Sequence, residues 1–105
     1  MNSGYVYLLS EEGDNLRYKI GFTKNSTLKR IKQLQTGNSD PIVVVYTYKT
    51  LNYKKLEHML HAYYGTKNRR LEWFDLTDDE VLGFLDKCLE FDKLIDYLKD
   101  NNPFY

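Results

Sequence analysis

The stretch that decides the fold is GYVYLL at residues 4–9, followed by RYKIGFT at residues 17–23. Both runs are rich in aromatic and β-branched residues and alternate in side-chain character, which is typical of β-strands. The segment SEEGDN between them is polar and contains turn formers, so we predict an antiparallel hairpin with a longer loop. With a period of two, Lys19 and Gly21 share one face, and we expect Tyr7 beside them. That face is expected to be open to a ligand.

A helix is predicted after the hairpin. Asn25 or Ser26 can cap a helix that begins near Thr27, and Gly37 is a natural stop. Apolar residues at three-residue spacing predict the stripe that faces inward. This stripe consists of Leu28, Ile31 and Leu34.

The run IVVVYTY at residues 42–48 predicts a strand buried on both faces, and we place it at the centre of the sheet. A second helix is predicted from after Asn52 to about Tyr64, with Gly65 as its stop. Its core-facing residues follow the helical period. They are Leu56, Met59, Leu60 and Tyr63.

The C-terminal third begins with a basic loop at residues 67–70 and a short aromatic segment at 71–76, which is either a small strand or an extended segment. Thr77 and the acids after it then predict the start of an acidic amphipathic helix over about 78–100. Its later turns could extend beyond the body or pack on a partner.

We therefore predict a single domain over residues 1–105, of the α/β (α+β) class, in which a small three-stranded antiparallel sheet is flanked by three helices. The core is expected over about 4–76. No apolar stretch approaches the ~20 residues that span a bilayer, so no membrane partner is expected. The N-terminus lacks a secretory pattern, and the single cysteine, Cys88, fits a reducing, intracellular setting, with the compartment undetermined. Cys88 lies on an apolar helical stripe and is expected to be a core residue.

Charge is distributed unevenly although the net charge is zero. Residues 15–70 hold twelve Lys or Arg against two acids, whereas residues 71–105 hold ten acids against three lysines. A basic body with an acidic tail favours a surface that faces a polyanion. The alternative is a set of solvated surfaces whose charges balance between neighbouring elements.

Ordered short motifs suggest a family. Tyr5-Val6-Tyr7, then Lys19-Ile20-Gly21, then Thr23-Lys24-Asn25 with Arg30, and finally Glu57, resemble the pattern of the GIY-YIG endonuclease superfamily. The small stand-alone members from phages and large DNA viruses also carry a stretch like Glu72-Trp73-Phe74. The resemblance covers roughly residues 4–76. Two positions depart from the pattern, since Tyr5 replaces the first Gly and Lys19 replaces the second Tyr.

The resemblance implies a metal-dependent endonuclease that hydrolyses phosphodiester bonds in nucleic acid, most directly DNA. It implies that Glu57 holds a single Mg²⁺ or Mn²⁺ ion, that Arg30 contacts the phosphate, and that Tyr7 helps to activate water. Lys19 would lie across the hairpin from Tyr7 and supply positive charge in place of the missing hydroxyl. His61, four residues after Glu57, is expected to line the same site.

The residues themselves support this chemistry. Glu57 is the sole acid between residues 41 and 71, and one carboxylate with phosphate and water can hold a hard divalent cation. In the alternative interpretation, Glu57 is an exposed helical acid that pairs with Lys54 or His61. Several residues of the basic body are candidates for contact with nucleic acid, and Tyr64 is expected near them. These candidates are Gly21, Lys24, Lys29, Lys32, Lys67, Arg69 and Arg70.

Two other functions stay open at this stage. A domain with this fold could bind nucleic acid without cutting it, since Lys19 and Tyr5 depart from the family pattern. Alternatively, the C-terminal helix could serve as a protein-interaction module or as the contact of a homodimer. A nuclease with one metal ion would need two active sites, or successive nicks, to cut a duplex.

Overall fold

The computed structural model describes residues 3–11, 14–24, 27–36, 41–65, 68–70 and 73–101. The strands are β1 (Gly4–Glu11), β2 (Asp14–Thr23), β3 (Ile42–Thr50), β4 (Asn68–Arg70) and β5 (Trp73–Asp75). The helices are α1 (Thr27–Thr36), α2 (Tyr53–Tyr63), α3 (Asp78–Leu82) and α4 (Phe84–Asn101). The strands form one sheet in the order β3-β1-β2-β5-β4, and each neighbouring pair is antiparallel.

The α+β class is confirmed, whereas the predicted number of elements is wrong. The described residues form five strands rather than three and four helices rather than three. The predicted basic loop contains β4, and the aromatic segment after it contains β5. Strands of three residues are too short for a period of two to be visible in the sequence.

The hairpin of β1 and β2 has the predicted faces. Val6, Leu8 and Ile20 are fully buried in the main core, because alternate residues of each strand point to the same side. The predicted loop is too long, since β1 continues to Glu11 and β2 already begins at Asp14.

The central position in the sheet belongs to the hairpin and not to β3. β1 pairs with β2 on one side and with β3 on the other, which places β3 at an edge of the described sheet. Val43 is 44% exposed and Val44 is 37% exposed, so the prediction of a central strand buried on both faces is wrong. β1 is the strand buried on both faces, since Tyr7 and Leu9 on its second face are only 1% exposed.

The helix predictions hold in part. α1 and α2 lie where they were predicted, whereas the caps at Asn25 and Ser26 and the stop at Gly37 lie outside the described residues. In α2, Leu56 and Leu60 are fully buried, but Tyr63 is 52% exposed. The residue of this turn that enters the core is Tyr64, which is 3% exposed.

The C-terminal helix is divided in two. Thr77 caps α3 with a capping box: its hydroxyl accepts from the Glu80 amide, and the Glu80 carboxylate accepts from the Thr77 amide. Gly83 follows α3, and α4 then starts at Phe84. Cys88 is confirmed as a core residue, and burial raises the pKa of its thiol to about 12. None of the described helices combines the length and the hydrophobicity that crossing a membrane requires.

A polar network fixes α4 to the body. Asp92 accepts hydrogen bonds from the Tyr48 hydroxyl at 2.9 Å, the Thr50 hydroxyl at 2.8 Å and the Asn52 amide at 2.7 Å. The same side-chain amide of Asn52 donates from Nδ2 to Asp96 at 2.8 Å, and its Oδ1 accepts a hydrogen bond from the Lys99 ammonium. The later turns of α4 therefore pack on the end of β3 and the start of α2, and do not extend away from the body.

Candidate active site

Tyr7 and Gly21 form the first part of the candidate site. They are direct partners in the register of β1 and β2. A Cβ added to Gly21 would lie 2.4 Å from Tyr7 Oη and 2.6 Å from Cζ. The Tyr7 ring therefore extends across the strand over Gly21, and the glycine is required by close contact rather than by a special backbone angle. Tyr7 is only 1% exposed, so the expectation that it lies on an open face is wrong.

α2 joins the hairpin one residue before this contact. His61 Nε2 lies 2.8 Å from the Ile20 carbonyl oxygen, and because a carbonyl can only accept, Nε2 must carry the hydrogen. The imidazole also packs edge-on against the Phe74 ring, with 4.9 Å between ring centres. Strand β5 pairs with β2 only as far as Lys19, which leaves the Ile20 carbonyl for α2. His61 thus links α2, which carries Glu57, to β2.

Glu57 lies one turn before His61 on α2. Its carboxylate oxygen is 3.8 Å from His61 Nε2, which is too long for a hydrogen bond. Glu57 is 7% exposed, so the alternative of an exposed helical acid is wrong, although a contact with His61 exists. Contacts thus run from Glu57 through His61 to Ile20 and, at the adjacent residue, from Gly21 to Tyr7.

The donor set around Glu57 suits one type of metal site. No group of three or more His, Cys, Asp or Glu side chains capable of holding a metal occurs in the described part of the chain. A closed protein cage of the kind that holds structural zinc is therefore not formed by these residues. A buried single carboxylate fits Mg²⁺ or Mn²⁺ instead, since such ions are commonly held by one or two carboxylates with water and substrate phosphate.

Lys19 does not face Tyr7 directly. Its partner across the hairpin is Leu9, and its ammonium lies 5.8 Å from the centre of the Trp73 ring. Arg17 stacks on the same ring at 4.1 Å and also pairs with Glu11. Lys19 is diagonal to Tyr7 on the sheet, at a typical distance of roughly 7–8 Å. Lys19 thus lies across the hairpin from Tyr7, as expected, but it is a diagonal neighbour because Gly21 is the direct partner of Tyr7.

Arg30 lies on α1 and is half-buried. One guanidinium nitrogen donates to Gln33 at 3.4 Å, a long and weak hydrogen bond. Its Nε is buried and has no hydrogen-bond partner among the described residues. Buried donors are nearly always paired in folded proteins, so this nitrogen is suited to donate a hydrogen bond to an external acceptor such as a phosphate oxygen. Arg17 Nε is also buried and without a hydrogen-bond partner, but its guanidinium stacks on Trp73.

The other candidates for contact with nucleic acid are in different situations. Lys24, Lys29 and Lys32 are exposed, whereas Gly21 is buried beneath Tyr7. Arg69 and Arg70 belong to β4, but their side chains, like the whole of Lys67, lie outside the described residues. Tyr64 is wrong as a neighbour of phosphate, since it is 3% exposed in the core.

Sequence reasoning missed two features of the site. The bond between His61 and Ile20 joins residues 41 apart through a backbone carbonyl, which no side-chain pattern reveals. The stacking of Arg17 on Trp73 follows from the pairing of β2 with β5 and could have been found only if β5 had been recognised as a strand.

Comparison with known families places the chain in a class. The T5orf172 domain family matches residues 4–90, and the chain therefore belongs to this family. The T5orf172 domain is phage-associated and occurs in some HNH and GIY-YIG-like endonucleases, which connects the chain with a nuclease or nucleic-acid-binding role. No curated protein and no solved structure matches the chain.

Proposed function

We propose that the protein is a metal-dependent endonuclease of the GIY-YIG type that hydrolyses phosphodiester bonds in DNA. The observation that carries this proposal is the continuous set of contacts from Glu57 through His61 and the Ile20–Gly21 strand to Tyr7. It brings α2 against the β1–β2 hairpin, from which α2 is distant in sequence, and each of the three elements contributes one motif of the resembled family. A family of endonuclease-associated domains, to which the chain belongs, supports the same activity.

Glu57 is the proposed metal ligand. When bound, the divalent ion would neutralise charge on the phosphate and the leaving oxygen. The 7% exposure of Glu57 keeps its carboxylate in a setting where water screens charge poorly, which strengthens its attraction for a cation. His61 positions Glu57, because its hydrogen bond to Ile20 fixes this turn of α2 against β2.

Arg30 is the proposed phosphate ligand. Its unpaired, buried Nε can donate to an oxygen of the scissile group without breaking a strong existing bond. A preorganised donor of this kind stabilises negative charge that develops in the transition state. Tyr7 is proposed to orient the attacking water through its hydroxyl, which the ring's packing over Gly21 holds in place.

A second candidate function is supported by two observations. Tyr7 is 1% exposed, and Lys19 is directed toward Trp73. Both are compatible with a domain that binds nucleic acid and has lost cleavage. This candidate keeps the Arg30 contact with phosphate but assigns no reaction to Glu57.

Cleavage of a labelled DNA duplex with Mg²⁺ or Mn²⁺, beside binding to the same duplex in EDTA, separates the two functions. The endonuclease proposal expects metal-dependent cleavage by the wild type and its loss in Glu57→Gln, which keeps the shape of the side chain but lacks its charge. Binding in EDTA and the melting temperature should change little in this variant. If Glu57→Gln cleaves DNA as fast as the wild type does, the proposed metal role of Glu57 is wrong. If the wild type binds DNA without cleaving it, the second candidate function is favoured.

A further inference from the structure

The outer face of α2 carries positive charge beside the candidate active site. Lys54, Lys55 and His58 are exposed, and together they are called the basic α2 face. Lys54, Glu57, His58 and His61 stand at positions i, i+3, i+4 and i+7, which lie on one side of a helix. Lys54 is one turn, about 5 Å along the axis, before the candidate metal ligand. Lys54 and His58 thus lie on the same side of α2 as Glu57.

The positions of the two lysines are not explained by helix stability. The first turn of α2 contains no acid, and Lys54 and Lys55 both lie in it. Positive side chains near a helix N-terminus oppose the helix dipole, which is a small energetic cost. The one acid of α2, Glu57, is buried, so the exposed side chains of this helix include no carboxylate.

A surface groove lies at the same place. It has a volume of about 440 Å³ and is lined by Lys54, Lys55, His58 and Met59. The basic α2 face therefore borders a concave surface and carries positive charge that attracts a chain of phosphates. A neighbouring hollow of about 260 Å³ is lined by the same two lysines and by Lys99, so the basic surface continues past the start of α2.

We propose that the basic α2 face is a binding surface for the phosphate backbone of nucleic acid and directs the strand toward Glu57. This inference rests on the nucleic-acid-binding part of the proposed function and adds a contact surface distinct from Arg30 and the hairpin. The lysines act as phosphate contacts and so affect affinity and its salt dependence rather than sequence preference.

Fluorescence anisotropy with a labelled DNA duplex in EDTA, at a series of salt concentrations, tests the proposal. Lys54→Ala combined with Lys55→Ala should weaken binding and reduce the slope of log affinity against log salt by about two units, since each phosphate contact contributes roughly 0.9 on duplex DNA. The matched control, Lys87→Ala with Lys93→Ala on α4, removes the same charge and should leave the slope unchanged. The melting temperature of the Lys54/Lys55 variant should stay close to that of the wild type, because both lysines are exposed and exposed charge contacts contribute little to stability.

The outcomes separate this inference from the proposed function. A slope that is unchanged by the Lys54/Lys55 variant, or reduced equally by the α4 control, overturns the inference even if the wild type cleaves DNA. If the wild type binds DNA but does not cleave it, a salt slope reduced only in the Lys54/Lys55 variant supports the inference and overturns the endonuclease proposal. Absence of DNA binding by the wild type overturns both.

Discussion

The contacts around Glu57 and those around Asp92 both join residues that are about forty positions apart, but they use polar groups differently. Asp92 has both carboxylate oxygens engaged, with donors from Tyr48, Thr50 and Asn52. At the candidate site, the Glu57 carboxylate lies 3.8 Å from His61 Nε2, and on α1 the Arg30 Nε is buried without a hydrogen-bond partner in the described fold. A saturated network stabilises the fold, whereas a donor held in place without an internal partner, such as Arg30 Nε, is suited to bind a ligand.

The two regions also differ in their relation to the family. The T5orf172 match covers residues 4–90, which includes the candidate site but excludes Asp92, Asp96 and Lys99. The network that holds α4 thus depends on residues outside the matched segment. We therefore expect substitutions at the candidate site to impair function with little loss of stability. Substitutions in the Asp92 network should lower stability with little effect on function.

The largest expected effect is on cleavage by Arg30→Ala. Loss of one preorganised donor to a developing charge costs about 3 to 4 kcal/mol, or roughly 100- to 1000-fold in rate. Stability should hardly change, because the removed Nε makes no hydrogen bond within the described fold. Single-turnover cleavage and urea denaturation measure the two quantities. Gln33→Ala removes the partner of Arg30 without removing the charge and should cleave normally. If Arg30→Ala unfolds, Arg30 stabilises the fold, as the residues of the Asp92 network do.

The next effect is on stability, in Asp92→Ala. This change removes the acceptor of the Tyr48 and Thr50 hydroxyls and one of the two acceptors of the Asn52 side-chain amide. Because hydrogen bonds to charged groups are worth about 1.5 to 3 kcal/mol each and this site is partly exposed, we expect a total loss of about 2 to 4 kcal/mol. Urea denaturation should show a lower midpoint with an unchanged slope. Asp100→Ala, at an exposed acid of the same helix, is the control and should be neutral. Equal stability of the two variants would mean that α4 is held by its apolar contacts alone.

The parts of the fold that could be predicted are those with a local period. The faces of β1 and β2 and the span of α2 follow from alternation and helical spacing in the sequence. The position of β3 does not, because its β-branched residues fit an edge strand as well as a central one, and the order of strands depends on pairing between distant segments. Tyr63 and Tyr64 are adjacent residues of one type, and local spacing does not decide which of them is buried: Tyr63 contacts Phe91 of α4 and is 52% exposed, whereas Tyr64 is 3% exposed.

The candidate site was predictable only as a set of residue types. Glu57 and His61 could be placed on one side of α2 from their spacing. The enclosure of Tyr7 could not, because it depends on what covers the second face of β1. The network at Asp92 has no sequence pattern, since its donors lie 40 to 44 residues away.

A smaller effect is expected for Gly21→Ala. The added methyl group would lie 2.4 Å from Tyr7 Oη, and Tyr7 is too enclosed to move freely. Overpacking of this kind costs typically about 1 to 3 kcal/mol. Displacement of the hydroxyl should also reduce cleavage, so this variant affects both quantities. Gly65→Ala is the matched control, since no atom lies within 4 Å of the added group. Normal cleavage by a destabilised Gly21→Ala variant would show that the Tyr7 hydroxyl is not needed in its present position.

The smallest expected effect is a dependence of stability on alkaline pH. Burial, and next the hydrogen bond to Asp92, raise the pKa of Tyr48 above its ordinary value. The folded state therefore holds the Tyr48 proton more strongly than the unfolded state does. This contribution is complete below the ordinary tyrosine pKa of about 10 and is lost as the pH rises toward the folded pKa. Tyr48→Phe, measured by urea denaturation at several pH values, should be less stable than the wild type near neutral pH because the bond to Asp92 is gone. The difference between the two proteins should then narrow above pH about 10, since phenylalanine has no proton to lose. Burial also raises the pKa of Tyr64, so the variant should keep part of the alkaline decline. A difference that stays constant over this pH range would show that Asp92 does not hold the Tyr48 proton. The Asp92 network would then be less strongly bonded than its hydrogen-bond distances indicate.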